Sequence, residues 1–230
     1  MRLDKFICRC TELSRTDAKK QLKKGVVRVT GEIIKDPAHQ VYEETEVTLG
    51  GNKLSFATAR YIMLHKPMDC ICSNVDELYP SVLHLVDVSR AFDLHIAGRL
   101  DADTTGLVLI TDDGQWSHKI TSPKKSCQKR YRVQLSRPIR ENAAELFTKG
   151  VELQGEDKLT RPAVLEVLSE QEVLLTISEG KYHQVKRMFA AIGNRVVGLH
   201  REQIGDIELD DELALGEWRY LTDTEVNSVS

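Results

Sequence analysis

The segment Gly98-Arg99-Leu100-Asp101-Ala102-Asp103-Thr104-Thr105-Gly106 runs directly into Leu107-Val108-Leu109-Ile110. It dictates a tight turn entering a buried strand, because four successive apolar residues follow two acids and two glycines. Asp101 then lies at the edge of an apolar region, two residues from Arg99. Partial desolvation beside a cation is one way in which a nucleophilic or basic carboxylate is made. Composition alone allows a plainer reading, a turn in which Asp101, Asp103 and Thr104 bond backbone amides.

The rest of the chain bounds the class. With 230 residues there is room for one large domain, or for a small one and a medium one, each with its own core. Hydrophobic content of 41% against 29% charged residues fits a globular protein in water. Met1-Arg2-Leu3-Asp4-Lys5 carries an acid and no long apolar core, and no apolar run approaches the ~20 residues of a membrane span. No signal peptide and no membrane are expected, and the cytoplasm is the expected compartment. Five cysteines, arranged as Cys8/Cys10, Cys70/Cys72 and a lone Cys127, are an odd count that argues against a disulfide framework. The two C-x-C pairs also miss the usual C-x(2–4)-C spacing of structural zinc, so no metal is expected.

A formal net charge of −3 conceals strong segregation. Residues 1–35 hold ten Lys/Arg and four acids, and residues 114–140 hold eight Lys/Arg and no acid. Residues 202–230 hold nine acids and one arginine. Such a distribution predicts a polarised surface with one side suited to a polyanion.

Leu3, Phe6 and Ile7 recur at helical spacing, and Ser14-Arg15-Thr16-Asp17 reads as a capping box with Asp in the Glu/Gln place. The helix it starts, over 15–24, carries Lys19, Lys20, Lys23 and Lys24 and stops at Gly25. Val26–Val29, a Thr30-Gly31 turn and Glu32–Ile34 read as a hairpin. Residues 1–50 therefore form a small αβ domain. Residues 51–60, low in apolar content, read as a linker. From Tyr61 onwards, strands are expected at 61–64, 107–111, 131–135, 164–168 and 173–177, and helices near 115–121, 141–149 and 184–191. Strands without a helix after each one point to an α+β fold rather than a doubly wound one. Thr111-Asp112-Asp113-Gly114 reads as a hairpin-type turn, and His200–Gly205 as a strand end.

The string Gly98–Leu109 resembles the catalytic segment of the pseudouridine synthases, in the family that includes RsuA and RluA. The resemblance makes Asp101 the catalytic aspartate. Leu64-His65-Lys66-Pro67 is similar to the family's L-N-K-P element, with His65 for Asn and Asp69 where Gly is usual. Asp tolerates left-handed geometry, so that turn is expected to persist. Lys129-Arg130-Tyr131 resembles the K-x-Y element and places Tyr131 against the target base. Glu179–Phe189 resembles the element whose basic residue pairs with the catalytic aspartate, which assigns that role to Lys186, with Arg187 as second choice. On a helix these two point about a hundred degrees apart, so one of them faces the site. Arg2–Phe6, Ser14–Ala18 and Gly25–Glu32 resemble the S4 RNA-binding domain.

The resemblance implies an S4-like domain at 1–50 followed, at 61–230, by a catalytic domain on a mixed, mostly antiparallel sheet with flanking helices. It implies isomerisation of uridine to pseudouridine without a cofactor. Arg99, Arg187, Lys129, Arg130 and the lysines at 19, 20, 23 and 24 become candidate RNA contacts, and the strand end at His200–Gly205, which completes the family pattern, is expected to add another. The S4-like head, the 179–189 string and the acidic C-terminal segment resemble the RsuA type, which implies uridine 516 of bacterial 16S ribosomal RNA. The partner would be that RNA or a partly assembled small subunit, and the enzyme a monomer. A synthase acting on 23S RNA is the nearest alternative, and a non-enzymatic S4-type binder is another. A glycosidase using Asp101 and Asp103 is disfavoured, because paired carboxylates about 5–5.5 Å apart usually come from different elements.

Overall fold

Ser14 and Gly25 delimit the basic helix as their chemistry requires. The Ser14 side chain accepts from the Asp17 amide, and Gly25 closes the helix at φ 75°. The box is not fully reciprocal, because the Asp17 carboxylate accepts from the Ser14 hydroxyl at 2.6 Å. The computed structural model describes every residue except 12, 43, 56–58 and 230, in two units, Met1–Thr58 and Ala59–Ser230.

In the first unit, helices α1 (Leu3–Cys10) and α2 (Arg15–Lys24) accompany strands β1 (Val27–Val29), β2 (Glu32–Ile33), β3 (Val47–Leu49) and β4 (Asn52–Leu54). The sheet order is β2-β1-β3-β4. Thr30 and Gly31, at φ 47° and 88°, form the tight β1–β2 turn. Leu3, Phe6, Ile7, Leu22, Val27 and Val47 are fully or almost fully buried in a core belonging to this unit. The linker expected from residue 51 begins too early. Gly50 and Gly51, at φ 57° and 89°, make a second hairpin turn, and residues 52–54 pair with β3. Residues 56–58 of that linker lie outside the described residues.

The second unit contains strands β5 (Tyr61–Lys66), β6 (His95–Ala97), β7 (Thr105–Thr111), β8 (Lys129–Leu135), β9 (Val164–Val167), β10 (Glu172–Ile177), β11 (Val196–Ile204), β12 (Ile207–Glu208) and β13 (Trp218–Tyr220). Its helices are α3 (Gly114–Thr121), α4 (Ala143–Lys149), α5 (Gln184–Ala191) and α6 (Asp223–Ser228). The main sheet runs β13-β5-β7-β11-β8-β10-β9, with β6 on β7 and β12 on β11. β7 and β11 are parallel and the other pairings are antiparallel. This is the mixed, mostly antiparallel α+β arrangement expected.

The apolar run of β7 is explained by burial on both faces. Val108 and Ile110 join Phe147 of α4 and Val185, Met188 and Phe189 of α5 in one core. Leu107 and Leu109 join Met63 and the α3 residues Trp116 and Ile120 in another. Gly106 is required where β7 meets β11. A Cβ there would lie 2.3 Å from the Arg201 carbonyl oxygen, at φ 110°. No helix among the described residues is long and apolar enough to cross a membrane.

One turn departs from expectation. Thr111–Gly114 leads from a strand into a helix and makes no hairpin. Asp113 caps α3, accepting from the Gln115 and Trp116 amides, while Asp112 takes the Arg60 guanidinium at 2.9 Å. Asp at a strand end serves a helix N-cap as readily as a hairpin, and the helix lies in the residues that follow.

Candidate active site

Asp101 opens a turn closed by the Thr104 amide, which donates to its carbonyl at 3.1 Å. The turn is supported from within the fold by Lys66, the last residue of β5. Its ammonium is fully buried and donates to the carbonyls of Pro67 (2.8 Å), Thr104 (2.8 Å) and Ala102 (3.3 Å). Three donors thus meet three acceptors, the arrangement a buried ammonium needs. Desolvation still holds the Lys66 pKa below the usual lysine range. Asp69, at φ 59°, takes the left-handed geometry expected of it and donates its amide to the Ala102 carbonyl at 3.0 Å.

Helix α5 brings a cation to this turn. Lys186 Nζ lies 2.9 Å from Asp101 Oδ2 and 2.6 Å from Asp103 Oδ1. Burial opposes the charge on Lys186, but the bonds to Asp103 and Asp101 outweigh it and hold the ammonium above the usual lysine range. The same hydrogen bond holds the Asp103 carboxyl below the usual carboxylate range. Asp103, read from the sequence as a turn residue, therefore also anchors Lys186. The other oxygen, Asp101 Oδ1, has His183 Nε2 at 3.4 Å. His183 precedes α5 in the left-handed region, at φ 48°, which swings its ring towards the turn.

Arg187 faces elsewhere, as the helical angle requires. Its guanidinium donates to Glu156 at 3.4 Å and to the carbonyls of Tyr182 and Gln154. With Lys181, which meets Glu156 at 3.0 Å, it ties the loop before α5 to the segment around residue 156.

Tyr131 sits on β8, almost buried, with its hydroxyl 3.4 Å from Nη1 of Arg201. The Arg201 Cζ lies 5.9 Å from the ring centroid, so the guanidinium occupies one side of the ring. Arg201 is itself only 2% exposed. It donates to the carbonyls of Leu107 (2.8 Å), Gly98 (2.9 Å) and Arg99 (3.5 Å). These carbonyls flank the Asp101 turn, so one buried side chain links Tyr131 to both ends of the motif. The RNA contact expected at His200–Gly205 is corrected for Arg201, which points into the fold and bonds backbone oxygens. His200 bonds Thr105 Oγ1 through Nδ1 at 2.8 Å, and burial depresses its pKa.

Part of the basic block of 114–140 is paired within the protein, while Lys124, Lys125, Arg137 and Arg140 remain exposed. Lys129 Nζ donates to the Ile120 and Cys127 carbonyls at 3.2 and 2.7 Å, and desolvation lowers its pKa. It closes the end of α3 and does not present its charge outward. Arg130 meets Glu202 at 3.5 Å and Glu208 at 3.4 Å, while Arg132 meets Glu172 and Glu202 at 2.9 and 2.6 Å. The acidic segment from 202 thus neutralises part of the block across the β8–β11 ladder, which the charge count along the sequence could not reveal. Arg99 is exposed beside the turn. Lys19, Lys20, Lys23 and Lys24 are exposed on α2, with Lys20 paired to Asp17 at 2.9 Å.

Of the residues singled out in the sequence, Asp101 and Lys186 meet directly, and Tyr131 is linked to their turn through Arg201. Lys66, Asp103, His183 and Arg201 are named there only as members of motifs or turns, without the contacts described above. Buried Lys66 and Arg201 carry no local signal, since either reads as a surface cation. No cluster of His, Cys, Asp and Glu among the described residues forms a metal site.

This geometry can be set beside known proteins. The family model for RNA pseudouridylate synthases matches residues 60–191, and that for the S4 domain matches residues 1–47. The ribosomal small subunit pseudouridine synthase A of Vibrio cholerae is 55% identical over 229 residues, covering 100% of this chain and 99% of that protein. The protein of the same name from Escherichia coli is 54% identical over 230 residues, covering both completely. A solved crystal structure of a pseudouridylate synthase, 49% identical, superposes over the whole of both chains with a TM-score of 0.74.

Proposed function

The chain belongs to the RNA pseudouridylate synthase family, and from that premise we propose that it isomerises a uridine of small-subunit ribosomal RNA, uridine 516 of the 16S molecule. It acts as a cytoplasmic monomer on that RNA or on a partly assembled subunit. The observation that carries this reading is the Asp101–Lys186 pair at 2.9 Å, held on a turn that Lys66 and Arg201 brace from inside. The full-length similarity to small-subunit synthases supports the choice of RNA.

In the reaction the N1–C1′ bond breaks, the uracil turns over, and C5 bonds to C1′. C5 gives up its proton and N1 gains one, so the change is an isomerisation with no net oxidation. Asp101 is the reacting carboxylate, as nucleophile or as base. Lys186 occupies Oδ2 at 2.9 Å, while Oδ1 has only the longer 3.4 Å approach of His183 Nε2 and is the oxygen directed to substrate. As the charge on Asp101 is used, Asp103 keeps Lys186 from being stranded without a counter-ion. The uracil must leave its stack, at a cost of a few kcal/mol. Tyr131, with Arg201 over its ring, is the residue placed against the base, and its hydroxyl is suited to assist proton removal from C5. The exposed lysines of α2 and Arg99 meet phosphates and set the register without reading sequence.

The test is to map pseudouridines in ribosomal RNA from a strain lacking this gene and from the same strain carrying it. Loss and restoration at uridine 516 alone supports the proposal, and loss at a 23S position overturns the choice of RNA.

A further inference from the structure

Tyr182 is 74% exposed, although its neighbour in sequence touches the reacting carboxylate. Its ring stacks on the imidazole of His183, with centroids 3.8 Å apart and an angle of 20° between planes. The pair is therefore covered on its inner side and open on its outer side. The backbone beneath it is fixed. Arg187 Nη1 donates to the Tyr182 carbonyl at 3.0 Å, and the Lys181 amide donates to Gln184 Oε1 at 2.8 Å. An exposed ring that the fold does not bury gains nothing for stability from its outer face. Held in place beforehand, it loses little freedom when something flat lies on it.

We propose that the Tyr182–His183 stack is the platform for the nucleobase adjacent to the target uridine in the RNA chain. This rests on the reading that Asp101 acts on that uridine. Tyr131 is almost buried and belongs to the flipped base. Tyr182 lies one residue from His183, whose Nε2 is 3.4 Å from Asp101, so its open face borders the reacting centre without entering it. When the uridine leaves its stack, the neighbouring base loses a stacking partner, and an aromatic ring at the rim replaces that partner. Every base has a π-face, so the contact lowers the cost of flipping without demanding a particular sequence.

The test is a cycle on the full-length enzyme with a short RNA carrying the uridine that the wild-type enzyme converts. Tyr182→Ala and Tyr182→Phe are combined with RNAs that are abasic on the 5′ side or the 3′ side of that uridine. Tyr182→Ala should raise Kd and KM about tenfold, equivalent to ~1.4 kcal/mol, while Tyr182→Phe stays within about twofold. With the RNA abasic at the stacked position, the difference between wild type and Tyr182→Ala should shrink to about twofold. Losses that multiply independently on both abasic RNAs would overturn the platform, as would a Tyr182→Ala effect confined to kcat. Tyr182→Leu, which keeps apolar volume but no flat face, should resemble Ala; a Leu variant behaving as wild type also overturns it. Failure of the catalytic reading is distinguishable, because the wild-type enzyme would then convert no uridine.

Discussion

Replacing Arg201 by Met tests whether a buried cation braces the catalytic turn. Met has similar length and no donors, so the substitution leaves the Leu107 and Gly98 carbonyls, bonded at 2.8 and 2.9 Å, without their partner. Two charge-assisted bonds contribute about 1.5–3 kcal/mol each. The contacts to Arg99 and Tyr131, at 3.5 and 3.4 Å, are long and add little. Against this, Met avoids burying a guanidinium whose bonded partners are carbonyls and a hydroxyl and include no carboxylate, and the effective penalty for that is several kcal/mol. The net loss should be about 2–4 kcal/mol, which lowers the melting temperature by roughly 5–15 °C for a unit of this size. Activity should fall further than stability, because Gly98 and Arg99 lead directly to Asp101. At 25 °C, with the variant still folded, turnover should drop by more than about tenfold, the equivalent of 1.4 kcal/mol in the barrier. Arg201→Lys should lie between, since a point charge cannot reach the carbonyls on both sides of the motif. The assays are thermal melting and pseudouridine formation on saturating RNA. An Arg201→Met enzyme that melts within 2 °C of wild type, by the same scale, and turns over normally would refute the bracing role.

Lys186→Met should reduce turnover at least about a hundredfold and Arg187→Met much less, in single-turnover assays, because Lys186 alone of the two meets Asp101. Glu225, held by Arg219 at 2.8 Å, has its pKa lowered to about 2 from 4.5. Its contribution to stability is thus present above pH ~4.5 and is lost as pH falls through about 2. After solvent screening, Glu225→Gln should cost about 1 kcal/mol at pH 7, with the melting difference from wild type vanishing as pH approaches 2. Neutralising Lys19, Lys23 and Lys24 should flatten the dependence of log affinity on log salt, as measured by titration at several salt concentrations. The slope should fall by up to roughly 0.7–0.9 for each phosphate that is no longer neutralised.

The sequence was readable where the signal is local. Ser14 and Gly25 define α2 because capping needs only a few neighbouring residues. The Leu107–Ile110 run announces a strand because both its faces are covered. Asp101, Tyr131 and Lys186 are assigned through family strings, while the contact of Asp101 with Lys186 comes from long-range packing that no short window contains. β11 was legible only at its end, in His200–Gly205, because a buried arginine and two irregularities in its pairing with β8 break the alternation that marks a strand. The burial of Lys66 was not legible, since the carbonyls of the Asp101 turn that make it possible lie more than thirty residues away. The charge blocks could not show that Glu202 reaches Arg130 and Arg132 from some seventy positions along the chain.

Asp101→Asn provides the most direct test of the catalytic account. RNA labelled with tritium at uridine C5 releases its label as pseudouridine forms, and binding of the same RNA can be measured in parallel. The substitution preserves the shape of the turn and the Lys66 bonds beneath it while removing the reacting charge. Tritium release should disappear, with RNA affinity staying within about threefold of wild type, less than 0.7 kcal/mol. Release at even a tenth of the wild-type rate would mean that another group performs the chemistry, and that the Asp101–Lys186 pair only holds the turn.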